Sequence, residues 1–77
     1  MSEPGINLRR LGLNIRRHRR YIQRLTQAQL AERVGCTAQA ISEYENGKRE
    51  VTVTMLLALS EALSCSAADL LQGVKVV

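Results

Sequence analysis

Apolar residues recur along the chain at steps of three and four, the spacing that gathers them on one face of an α-helix. Leu8, Leu11, Ile15, His18 and Ile22 predict a first helix over residues 8–22 with a buried seam. His18 is the odd member and is expected to be a partly covered core or rim histidine. Thr26 and Gln29 form a capping-box pattern, so a second helix starts at Thr26, turns Leu30, Ala31 and Val34 inward, and stops at Gly35. Thr37 can cap a third helix that runs through Ala38 to about Asn46 and ends at Gly47. A fourth, capped by Thr52, would bury Val53, Leu56, Leu57, Ser60 and Leu63. Ser66 and Asp69 cap a fifth, whose Leu70 and Leu71 close the core and which Gly73 ends. Residues 1–7 are expected to form a mobile arm. The short apolar tail, residues 73–77, leaves disorder and packing on a partner subunit both open. Between them lies a domain of residues 8–72.

The third helix divides most cleanly. Ala40, Ile41, Tyr44 and Glu45 fall on one side, and Ala38, Gln39, Ser42, Glu43 and Asn46 on the other. The second side has no large apolar residue but carries amides, a hydroxyl and a carboxylate, groups that can exchange hydrogen bonds with base edges in a major groove. Two short helices joined by a glycine-containing turn form a helix-turn-helix unit.

From Leu25 to Arg49 the chain reads LTQAQLAERVGCTAQAISEYENGKR. This resembles the Cro/CI-type (xenobiotic-response-element) family of bacterial and phage repressors, whose pattern is roughly L-(S/T)-Q-x-x-L-A-x-x-(apolar)-G-(apolar)-(S/T)-x-x-x-I-S-x-(apolar)-E-x-G. The resemblance implies an all-α, five-helix domain of the lambda-repressor type, with the helix-turn-helix in helices 2 and 3. It also implies a transcriptional regulator, most simply a repressor, that binds a two-fold operator on double-stranded DNA as a homodimer. Geometry favours the same symmetry, because two copies reach successive major grooves about 34 Å apart. By the same resemblance Gln27 should grip a phosphate at the start of helix 2, with Asn46, Lys48 and Arg49 doing so past the end of helix 3. Ala38, Gln39 and Glu43, with Ser42 nearby, should face bases. Glu43 is then a cytosine reader or an element that rejects wrong sites; the alternative is a solvated carboxylate paired with a nearby arginine. Arg19 and Glu45 match the family's paired arginine and acid. The interval from Ile15 to Gln27 is one residue longer than usual, so counting back from helix 2 nominates Arg20 instead. Arg19 is preferred, with the extra residue placed in the Gln23-Arg24 loop. Val51 stands where a proline is common, which bears only on the rigidity of the loop.

Charge sharpens the picture. Residues 1–24 hold seven arginines and one acid, whereas residues 25–77 hold four Lys/Arg and six acids. One basic end points to a polyanion. The helix 1 arginines read either as a solvated face or as phosphate ligands, and Arg16 and Arg20 are taken as ligands. With neither Phe nor Trp the core must be aliphatic. Cys36 and Cys65 are too few for a zinc quartet and are expected to be reduced, buried thiols. A single histidine, no acid–base pair, no phosphate loop and no metal cluster argue against an enzyme. No metal, cofactor, small-molecule ligand or membrane partner is expected, and no room is left for an effector-sensing domain. A cytoplasmic location is expected, since no apolar run is long enough to span a bilayer. An antitoxin or a restriction–modification controller would share this domain. A protein-interaction module of the same fold would not need Gln27 or the Lys48-Arg49 loop.

Overall fold

The computed structural model describes residues 4–77, which fold as five helices. They are α1 (Leu8–Arg17), α2 (Gln27–Val34), α3 (Ala38–Glu45), α4 (Val53–Ala62) and α5 (Ala67–Leu70). Each start has a side-chain cap. Asn7 accepts from Arg10 N–H, Thr37 from Ala40 N–H and Thr52 from Met55 N–H, while Thr26–Gln29 and Ser66–Asp69 form reciprocal capping boxes. The Ser66 N–H that binds Asp69 also holds its carboxyl below the usual range.

The core is aliphatic apart from Tyr44. Leu11 and Ile15 of α1 meet Leu30 of α2, Ile41 of α3, Leu59 and Leu63 at the end of α4, and Leu70 of α5, all fully buried. Val51 also packs against this cluster, so the loop after α3 is anchored by an apolar side chain. His18 is half-buried, and its Nδ1 has no hydrogen-bond partner among the described residues.

Several expectations need correction. The first helix does span residues 8–22, but its last turn, His18–Ile22, is a π-turn closed by Gln23 N–H donating to His18 O at 2.9 Å. A π-turn holds one more residue than an α-turn. The extra residue between Ile15 and Gln27 therefore sits in the helix itself, not in the Gln23-Arg24 loop. Arg24 follows in the left-handed region at φ 55°, and Leu25 N–H reaches back to Arg19 O at 2.8 Å. The widened turn rotates Ile22 off the seam, leaving it 54% exposed.

In α4 the buried face keeps Leu56, Ser60 and Leu63 of the predicted one but takes Met55 and Leu59 in place of Val53 and Leu57. Leu59, Ser60 and Leu63 are buried and Met55 and Leu56 partly so, while Val53 and Leu57 face out. Leu71 lies beyond the end of α5 and is exposed, so Leu70 alone closes the core. Asn14, half-buried on α1, donates from Nδ2 to Leu70 O and Gln72 O, both at 2.8 Å, and so satisfies carbonyls that this very short helix cannot.

The end of the arm, expected to be mobile, and the tail, expected to be disordered or packed on a partner subunit, instead meet each other. Ile6 and Val76 form an antiparallel bridge, with Asn7 N–H donating to Lys75 O at 3.0 Å and Val77 N–H to Gly5 O at 2.8 Å. The first three residues of the expected mobile arm lie outside the described ones.

Candidate nucleic-acid interface

The two helices of the interface are set by local chemistry. Gly35, left-handed at φ 78°, ends α2, and its N–H donates to Ala31 O at 2.8 Å. A turn of three residues, 35–37, leads to the Thr37 cap of α3. Ala40, Ile41, Tyr44 and Glu45 then point inward and are buried. Ala38 and Gln39 are exposed on the opposite side, with Ser42 and Glu43 half-exposed beside them. The four positions expected to read bases thus share one open face.

Buried Glu45 sets how α1, α2 and α3 meet. Arg19 and Glu45 are 7% and 3% exposed. Arg19 Nε donates to Glu45 Oε2 at 2.5 Å and Nη2 to Oε1 at 3.0 Å, a two-pronged pair, while Nη1 donates to Leu25 O at 2.8 Å. Arg20, the alternative partner, is exposed; counting back from α2 nominates it because that count takes in the extra residue of the widened turn. Gln27 joins the pair, with Nε2 donating to Glu45 Oε1 at 3.1 Å. That contact was not anticipated. It holds the first residue of α2 against the end of α3, and the Gln27 and Ala28 N–H groups of the α2 start have no intrahelical acceptor.

The other expected phosphate ligands divide into groups. Lys48, Asn46 and Arg16 line a cleft with Arg9 and Leu13, beside Glu45. Arg9 was not singled out, although it lies two turns before Arg16 on the same side of α1, and that i, i+7 spacing could have revealed it. Asn46 is a poorer donor than expected: its Nδ2 lies 2.8 Å from Ser42 O and 3.4 Å from Ser42 Oγ, so both amide hydrogens have acceptors in their own helix. Arg49 meets Glu43 at 3.4 Å and sits 5.4 Å from the centre of the Tyr44 ring. Both charges of that pair are substantially exposed, so the pair is weak and exchangeable. Arg20 lies apart from the cleft, over Tyr21.

Two glycines bring α1 this close to α3. A Cβ on Gly12 would overlap the Tyr44 carbonyl oxygen and lie 2.5 Å from that of Glu45. One on Gly47, whose φ is 69°, would lie 2.8 Å from Arg9 Cα. Gly12 is a positioning residue that the apolar pattern does not expose, because a glycine adds nothing to an apolar count.

Cys36 and Cys65 are free thiols and only partly buried, not fully buried as expected, because each lies at the edge of the core cluster. Burial raises the pKa of both thiols; Arg49 partly offsets this at Cys36, whereas Asp69 adds to it at Cys65. Among the described residues no group of His, Cys, Asp and Glu could hold a metal ion, and no helix is long and apolar enough to cross a membrane.

Over 68 residues, 88% of its length, the chain is 40% identical to repressor protein C2 of Salmonella phage P22, and it spans about a third (31%) of that protein. The P22 c2 repressor, crystallised with the synthetic operator 9T, is structurally similar, with a TM-score of 0.73 at 41% identity over 82% of this chain and 94% of that one. Restriction-modification controller protein C.AhdI of Aeromonas hydrophila matches with a TM-score of 0.77 at 28% identity, over 82% of this chain and 94% of that one. The clp gene regulator ClgR of C. glutamicum matches with a TM-score of 0.79 at 32% identity, over 84% and 83% of the two chains. Residues 15–70 match the sequence model of the helix-turn-helix family HTH_3, and the chain belongs to that family.

Proposed function

We propose that this chain is a sequence-specific DNA-binding transcriptional regulator, a cytoplasmic repressor that binds a two-fold operator as a homodimer. The observation that carries the reading is the open face of α3, where Ala38, Gln39, Ser42 and Glu43 stand clear of the core beside the basic cleft of Arg9, Arg16 and Lys48. Phosphates would be held by that cleft, by Arg49 and Arg20, and by the Gln27 end of α2, whose free N–H groups and positive dipole end favour an anion. Asn46 contributes through its position at the cleft more than through its committed amide. An α3 of eight residues is about 12 Å long and covers only a few base pairs, so a second copy supplies the rest of the site. The reading involves no catalytic step. The similarity to the C.AhdI controller supports a second reading, control of a restriction–modification system by the same domain.

Two variants test the division of labour. Lys48→Ala is expected to weaken binding to all sequences alike and to reduce the slope of log K against log salt by about 0.9, one released counterion's worth. An unchanged slope removes Lys48 from the phosphate set. Gln39→Ala is expected to cost about 1–3 kcal/mol on the preferred site and little on random DNA, since a glutamine amide can offer adenine a donor and an acceptor at once. Equal losses on both DNAs would show that this residue does not read sequence.

A further inference from the structure

The outer face of α1 and of the π-turn that continues it carries a groove that phosphate binding does not explain. Leu13 and Tyr21 are 47% and 67% exposed, and with Arg16, Arg17 and Arg20 they line one depression. Its apolar parts lie just over two helical turns apart, about 12 Å, a span that one short peptide segment can cover. The Arg20 guanidinium sits 5.6 Å from the centre of the Tyr21 ring. The ion pairs among the described residues are Arg19–Glu45 and Arg49–Glu43, so Arg16, Arg17 and Arg20 have no acidic partner there. Arg16 and Arg20 are also like charges at i, i+4, an unfavourable arrangement that an anionic ligand relieves. A phosphate backbone would neutralise the arginines but would leave Leu13 and Tyr21 facing water. A carboxylate-flanked aliphatic or aromatic side chain satisfies both parts of the groove.

We propose that this groove docks an acidic peptide segment of another protein, with an apolar anchor between Leu13 and Tyr21 and carboxylates on Arg16, Arg17 and Arg20. Two-pronged arginine–carboxylate contacts give such a site direction, and the buried anchor gives it affinity. Arg16 and Arg20 also belong to the proposed phosphate set, so an occupied groove withdraws them from DNA; that consequence rests on the DNA reading, whereas the docking does not.

The test uses isotope-labelled protein and three probes: a helical peptide with leucines on one face between glutamates, the same peptide with serines for the leucines, and a short single-stranded oligonucleotide. The leucine peptide is expected to shift the amide resonances of residues 13–21 and to bind about tenfold more tightly than the serine peptide. Tyr21→Ala and Arg17→Ala should each weaken it about tenfold while leaving the melting temperature close to that of the parent. The proposal is overturned if the leucine peptide does not bind, if the two peptides bind equally, if either variant binds as the parent does, or if the oligonucleotide occupies these residues more tightly.

Discussion

Gly12→Ala is expected to lower the melting temperature by roughly 12–24 °C, about 3 kcal/mol in a domain of this size. The new methyl group would meet the backbone carbonyls of Tyr44 and Glu45, and neither can rotate aside as a side chain would. Relief requires α1 to move away from α3, which also pulls Arg19 from Glu45 and opens the cleft around Arg9 and Lys48. Gly5→Ala, with no atom within 4 Å of the added carbon, provides the control and should melt like the parent. Gly35→Ala separates conformational strain from crowding: its added carbon also meets nothing within 4 Å, but its φ of 78° should cost about 1–2 kcal/mol. If Gly12→Ala is no worse than Gly35→Ala, the close crossing of the two helices is not what orders this end of the molecule.

Arg19→Ala is expected to cost about 3–5 kcal/mol, because it leaves the Glu45 carboxylate buried with only the Gln27 amide as a partner. A chain of 77 residues has about 4–12 kcal/mol of stability in all, so this one change should unfold much of the population at physiological temperature. Arg17→Ala, on the exposed side of the same helix, should fall within about 0.5 kcal/mol of the parent. Chemical denaturation of the two variants measures the difference, and equal midpoints would contradict a structural role for the pair. Combining Arg19→Met with Glu45→Leu should recover most of the loss, since what destabilises is the unpaired charge and not the absence of attraction.

The central part of the fold was legible because its signals are local. Thr26, Gln29, Gly35, Thr37 and Gly47 mark helix ends through contacts only a few residues long, and the faces of α3 follow from an apolar stripe with clear polar contrast. In α4 that contrast is missing. From Val53 to Leu59 every residue but Thr54 is apolar, so periodicity could not select the buried face, and packing against the other helices did so instead.

The remaining differences depend on contacts between distant residues. The bridge between Ile6 and Val76 joins the two ends of the described chain, and Asn14 finds its acceptors after α5. The π-turn is an intermediate case. Its extra residue was countable from the spacing of Ile15 and Gln27, but whether helix or loop absorbs it depends on how Arg19 reaches Glu45 and Leu25. At the interface, the residue types on α3 were readable, whereas the commitments of Gln27 to Glu45, Asn46 to Ser42 and Arg49 to Glu43 require side-chain positions.

Selection of binding sites from random double-stranded DNA tests the DNA-reading role of the α3 face most directly. The account predicts an enriched motif with two-fold symmetry, its half-sites about 34 Å apart, whose preferred bases change in each half when Gln39 is replaced by alanine. A selection that enriches no motif, or one whose motif is the same for the parent and Gln39→Ala, would contradict it.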